Sequence, residues 1–177
     1  MTASPSNPLG LNVLTEKGLV SLEQERRAVE IWRAHYKHIQ YVEMPKDQPA
    51  AIDAILTSGG ICRAVVETKC REMDLNTFIN TYDEQWLVTF RKIGKAKEIA
   101  EMMNVPFLGF LYLAHDDVLL WAKLWDPKEG WCRQFVVQKT ETQKNINGGK
   151  AIRDNAFINM RGCEQLRMPK DGQQTDQ

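Results

Sequence analysis

The sequence predicts an α/β domain, a mixed β-sheet flanked by helices. Three observations predict it. Helical and extended patterns follow one another in the order helix, strands, helix, strands. The run PFLGFLYLA at 106–114 is apolar without alternation, as in a strand covered on both faces. Two strands are joined by the turn Ser58-Gly59-Gly60, whose glycines suit a tight hairpin.

The elements follow in chain order. Over 21–38 the apolar residues Leu22, Val29, Trp32 and Tyr36 recur at helical spacing, with Ser21 as N-cap. A short, partly β-branched strand is expected at 39–43, then a loop at 44–49 holding Pro45 and Pro49. Strands at 51–56 and 61–70 flank the turn. Residues 71–80 read as irregular. A long helix is expected over 82–103, with Trp86, Phe90, Ile93, Ala100 and Met103 on its apolar stripe; Asn104 and Pro106 end it. After the 106–114 strand, His115-Asp116-Asp117 turns the chain into a strand at 118–125, and 135–140 reads as a further strand. Residues 145–150 (NINGGK) read as a turn. No pattern assigns an element between 151 and 167.

Composition narrows the function classes. At 177 residues, 43% hydrophobic and 26% charged, the chain has the profile of one ordinary globular domain, placed at 13–167. Residues 1–12 read as a flexible leader without the basic start and apolar block of a signal peptide, and 168–177 as a polar tail. No apolar run approaches the roughly 20 residues of a membrane span. Cys62, Cys70, Cys132 and Cys163 form no CxxC pair. Cys62 and Cys70 sit at the two ends of one expected strand, roughly 26 Å apart at strand rise, too far for a shared metal or disulfide. The three histidines have no ligand spacing either, so a zinc or iron–sulfur site is not expected, and a reducing, cytoplasmic compartment fits. Net charge is zero with a pI near 6.8, which speaks against a protein that coats nucleic acid. It speaks less against an enzyme, which needs only a local basic patch.

Residues 52–71 carry the chemistry. Glu67 and Lys69 lie two apart on one strand, so both leave the same face, and Asp53 comes from the partner strand of the hairpin. Charged groups on otherwise apolar strands are unfavourable unless something pairs with them. A divalent cation held by Asp53 and Glu67 would do so; hard oxygen ligands suit Mg²⁺ or Mn²⁺. The Thr68 carbonyl, between the two, is a candidate backbone ligand. Such an ion makes water nucleophilic near neutral pH and stabilises charge on phosphoryl oxygens. Lys69 beside it could hold that water or neutralise those oxygens. A Glu and a Lys at this spacing are, taken alone, more often a solvated strand face; Asp53 shifts the balance.

Asp53, thirteen residues, then Glu67-Thr68-Lys69, with a hairpin between, resembles the PD-(D/E)XK nucleases, the restriction-endonuclease-like superfamily. The resemblance spans about residues 21–125. It implies a restriction-endonuclease-like core and an Mg²⁺- or Mn²⁺-dependent deoxyribonuclease of the small phage or bacterial type. Members often carry an acid on the preceding helix; Glu25, on the apolar face of 21–38, matches it. Arg71 extends the motif to E-x-K-x-R. The family's following helix supplies Gln or Lys, a part matched by Gln85, with Thr89 and Lys92 continuing its stripe. Arg91, Lys92, Lys95 and Arg71 are the candidate phosphate contacts. Ala51-Ile52 replaces the family's Pro before the aspartate, and nothing after residue 125 matches. The implied partner is DNA, with a homodimer as one possible assembly. The competing expectation is a non-catalytic nucleic-acid-binding or interaction module on the same fold. No GxSxG, Cys–His or phosphate-loop pattern supports other hydrolases.

Overall fold

A computed structural model describes residues 16–46, 50–142 and 151–170. Helix α1 (Glu16–His35) leads into β1 (Gln40–Glu43) and the hairpin β2 (Ala54–Ser58) and β3 (Ile61–Arg71). Then come α2 (Leu75–Asn80), β4 (Gln85–Thr89), α3 (Phe90–Met102), β5 (Phe107–Leu113) and β6 (Val118–Asp126). The chain closes with β7 (Gly130–Trp131), β8 (Phe135–Thr142), β9 (Ala151–Asn159) and β10 (Glu164–Leu166).

The larger sheet runs β1-β2-β3-β5-β6-β10, with β7 paired to β6, and a second sheet runs β4-β9-β8. Strand β3 is antiparallel to β2 and parallel to β5, while the other pairs are antiparallel. This is an α/β fold with a mixed sheet flanked by helices. A parallel neighbour requires a crossover, and α2, β4 and α3 supply it between β3 and β5.

The core explains the layers. Successive residues of β3 face opposite ways. Val66 joins Trp32, Val29 and Phe110 beneath α1, while Val65 joins Ile93, Ala96 and Trp86 beneath α3 and β4. β5 is buried at every position, as its unbroken apolar run requires. Within it, Gly109 lies opposite Glu67 of β3. A Cβ there would sit 2.5 Å from Trp86 Cζ3 and 2.8 Å from Leu124 Cδ1, so the bare glycine lets β4 lie close against the sheet.

Several expectations change. Ser21 sits inside α1 and caps nothing. β2 starts at Ala54; residues 51–53 bend instead. The stretch 71–80 contains α2, whose N-cap Asp74 accepts from Thr77 N at 2.6 Å. The expected 82–103 helix is two elements. Asp83 and Glu84 turn with positive φ, Gln85–Thr89 pairs with β9, and only Phe90–Met102 is helical. Trp86 and Val88 alternate into the core as strand residues, while Phe90 and Met103, expected on a buried stripe, are exposed. The unassigned stretch 151–167 forms β9 and β10. The 1–12 leader, the 145–150 turn and residues 171–177 of the tail lie outside the described residues. No helix among the described residues is long and apolar enough to cross a membrane.

Candidate active site

Asp53 sits in the bend just before β2. Its amide donates to Val66 O at 3.1 Å and its carbonyl accepts from Met44 N at 2.9 Å, so its backbone is held from both sides. Pairing of β2 with β3 ends at Ala54 and Val66, which leaves the Thr68 amide beyond the last strand partner. Asp53 Oδ2 accepts from that amide at 2.8 Å. The aspartate thus completes the edge of the hairpin and is fixed by it. A strand residue's N–H and C=O point to the same side. The Thr68 carbonyl therefore faces the Asp53 side as well.

Glu67 and Lys69 share the β3 face turned towards α3. Glu67 is fully buried, and Lys69 Nζ stands 3.3 Å from its Oε1. A fourth charge completes the group. Lys92, in the first turn of α3, places Nζ 3.1 Å from Asp53 Oδ1 and 3.0 Å from Glu67 Oε1. It also donates to Glu67 Oε2 at 3.3 Å. Despite these two ammonium groups, Glu67 Oε1 receives no hydrogen bond of proper geometry among the described residues. The contacts are electrostatic only.

The two carboxyls are held differently. Burial pushes the Glu67 carboxyl above the ordinary carboxylate range; Lys69 pulls against that and the charge of Asp53 adds to it. Burial works against the Asp53 anion too, but Lys92, Lys69 and the Thr68 amide outweigh it, and its carboxyl lies below the ordinary range. The Lys92 ammonium is disfavoured by burial, yet Asp53 and Glu67 more than compensate and hold it above its ordinary value. On the other face of β3, the Thr68 hydroxyl shares a 3.0 Å hydrogen bond with the buried Tyr41 hydroxyl. Burial raises that phenol, so the Tyr41–Thr68 pair is uncharged.

These donors fit a hard divalent cation. Two carboxylates meet at the Lys92 ammonium, the Thr68 carbonyl lies on the Asp53 side of β3, and one buried carboxylate oxygen lacks a hydrogen bond. No group of three or more His, Cys, Asp or Glu side chains gathers among the described residues. Any ion here would thus have two acidic side chains and fill its remaining positions with the carbonyl, water and substrate, the usual pattern for Mg²⁺.

The other expected site residues are placed as follows. Glu25 of α1 pairs with Lys46 at 2.6 Å, and it lines a polar cleft of about 590 Å³ together with Thr68, Lys69, Arg71 and Asn155. Arg71 donates to Leu87 O at 2.9 Å and to Cys70 O at 3.2 Å, so it ties β3 to β4 at the wall of this cleft. Gln85 is not part of the charged group; it opens β4 opposite Asn159 and lines other cavities, one with Trp131 and Phe135. Arg91 is exposed and Lys95 pairs with Glu98 at 3.1 Å, both on the solvent side of α3. The Gln85, Thr89, Lys92 stripe does not exist, because the first is in a strand and the second precedes the helix.

Lys92 was expected to meet phosphate from a basic patch, and its place between two acids is a finding. A signal for it exists. The first turn of α3 carries Arg91 and Lys92 and no acid, against the helix dipole, so a lysine there needs negative partners from elsewhere. That signal is legible only once the helix is known to start at Phe90.

No protein-family model matches the chain, and no curated protein matches it. Among solved structures the chain is similar to the Holliday junction resolvase Hjc of the archaeal hyperthermophile Archaeoglobus fulgidus. The identity is 12%, covering 58% of this chain and 74% of that one, with a TM-score of 0.41.

Proposed function

We propose that the chain is a Mg²⁺- or Mn²⁺-dependent nuclease that hydrolyses DNA phosphodiester bonds. One observation carries the reading. Two carboxylates, Asp53 just before β2 and Glu67 on β3, meet the same Lys92 ammonium at 3.1 and 3.0 Å, with Lys69 beside Glu67 on the same face.

A divalent ion bound by Asp53, Glu67 and the Thr68 carbonyl supplies a nucleophilic water and charge stabilisation at the phosphorus. The chain does the rest. The Thr68 amide holds Asp53 Oδ2, which fixes the rotamer and turns Oδ1 towards Lys92 before anything binds. Full burial of Glu67 strengthens its field, because little water screens it. Lys69, partly exposed, reaches from the core to the cleft, where it can hold the attacking water or neutralise a non-bridging phosphoryl oxygen. Glu25 and Arg71 line the wall along which a strand would run, and Arg91 and Lys95 lie outside as candidate phosphate contacts.

A second reading is favoured by one fact: the four charges already balance without a metal. On that ground a non-catalytic nucleic-acid-binding or interaction module also fits. The discriminating experiment incubates plasmid, linear, single-stranded, flap and four-way-junction DNA with Mg²⁺ or Mn²⁺, against a chelator control and Glu67→Ala. Cleavage that needs both the metal and Glu67 supports the nuclease. No cleavage of any substrate, with Mn²⁺ binding unchanged in Glu67→Ala, overturns it in favour of the module.

A further inference from the structure

The charge balance of the site carries an inference that rests on the nuclease reading. Asp53 and Glu67 bring two negative charges, and Lys69 and Lys92 bring two positive ones. The lysines are not equivalent. Lys69 touches Glu67 alone, whereas Lys92 Nζ meets Asp53 Oδ1 at 3.1 Å, Glu67 Oε1 at 3.0 Å and Glu67 Oε2 at 3.3 Å. It stands between the two carboxylates, where a bridging cation would stand.

An ammonium and a divalent ion cannot share that point. At contact distance, their repulsion in a poorly screened interior is many times thermal energy. We propose that Lys92 is a built-in counter-ion that holds the two carboxylates together and is displaced when a divalent cation enters.

The fold permits the displacement. Lys92 lies in the first turn of α3, its side chain is 35% exposed, and its flexible four-carbon stem can carry the charge outward without moving the helix. Swung out, it remains a cation at the rim. The group then has a surplus of two positive charges, which a phosphodiester backbone neutralises. Cation and DNA therefore favour one another's binding, and this coupling is reciprocal. Lys92 is a positioning residue in the resting protein and a rim cation in the loaded one.

The test is calorimetric titration of Mn²⁺ into the full chain, alone and with a short phosphorothioate duplex that resists cleavage. Lys92→Met and Lys92→Gln are compared with the parent and with Glu67→Gln. Without DNA, both Lys92 variants should bind Mn²⁺ about tenfold more tightly than the parent. Their metal-free melting temperatures should fall, because buried Glu67 and the largely covered Asp53 lose a counter-ion, and Mn²⁺ should restore them. The duplex should tighten Mn²⁺ binding to the parent and do so less in the variants. Suppose the parent binds Mn²⁺ through Glu67 while both Lys92 variants bind it no more tightly. The counter-ion role is then overturned and the nuclease reading stands. If neither parent nor variants bind Mn²⁺, both fall together.

Discussion

Two charged clusters lie on opposite faces of the large sheet, and they are built on different rules. On the α1 face, Arg27 grips Asp117 through two hydrogen bonds of 2.8 and 2.6 Å, and the Tyr112 hydroxyl donates to the same carboxylate at 2.9 Å. Geometry and charge are matched there, and both ionic side chains remain partly in water. On the α3 face, Glu67 has no access to water, and one of its oxygens faces two ammonium groups without a proper hydrogen bond. The first cluster is complete as it stands and fastens α1 to the turn before β6. The second is neutral yet imperfectly satisfied, which is how a site differs from a fastener.

The sharpest way to break this contrast is Lys69→Ala. Cleavage should fall by at least about a hundredfold, the scale for removing an electrostatic donor, while the chain still folds and binds Mn²⁺. Parent-like nicking of plasmid with Mn²⁺ would remove Lys69 from the chemistry. Glu67→Gln keeps the shape and deletes the charge, and Mn²⁺ affinity should drop about tenfold or more in calorimetry. An unchanged affinity would make the α3-face cluster another fastener.

Gly109→Ala probes packing beside the acids rather than charge. With Trp86 and Leu124 both fully packed, the added methyl should destabilise the fold by about 1–3 kcal/mol in urea titration. A neutral result would mean that β4 is free to retreat. The smallest effect belongs to the α1 face. Asp117→Asn should lower stability by less than about 1 kcal/mol, because the pair is partly screened by water, and should leave cleavage intact. Hydrogen bonds from Arg27 hold the Asp117 carboxyl below the ordinary range, so folding favours its anion. That contribution is full at neutral pH and is lost as pH falls past the unfolded carboxylate value and through the lower folded one. Stability measured from pH 6 down to 2 should therefore decline less steeply in Asp117→Asn than in the parent. Equal slopes would mean that the pair adds nothing.

What the sequence disclosed follows from what is local. The β2–β3 hairpin was legible because Gly59 and Gly60 take positive φ, a demand of the turn itself. The shared face of Glu67 and Lys69 was legible because strand period fixes it. β4 was hidden because Trp86, Phe90 and Ile93, spaced by four and three, copy a helical stripe, and its strand character comes from pairing with β9 some seventy residues on. β8 was only partly legible because Val136 and Val137 are both exposed, so burial imposes no alternation there. The bond from Asp53 to the Thr68 amide could not be read, since it depends on where β2 stops. The position of Lys92 depends on how α3 lies across the sheet, which no local pattern encodes.

The crossover between β3 and β5 also sets an order of events. Asp53 and Glu67 belong to one hairpin, a unit that closes in about 1–10 μs in isolation. Lys92 arrives only when residues 72–106 have folded back and docked, a non-local step with a larger loop-closure penalty. A hairpin that closes first would hold the two acids near each other without Lys92. Divalent ions in the refolding buffer should then capture the early hairpin, and the final docking rate should depend on their concentration.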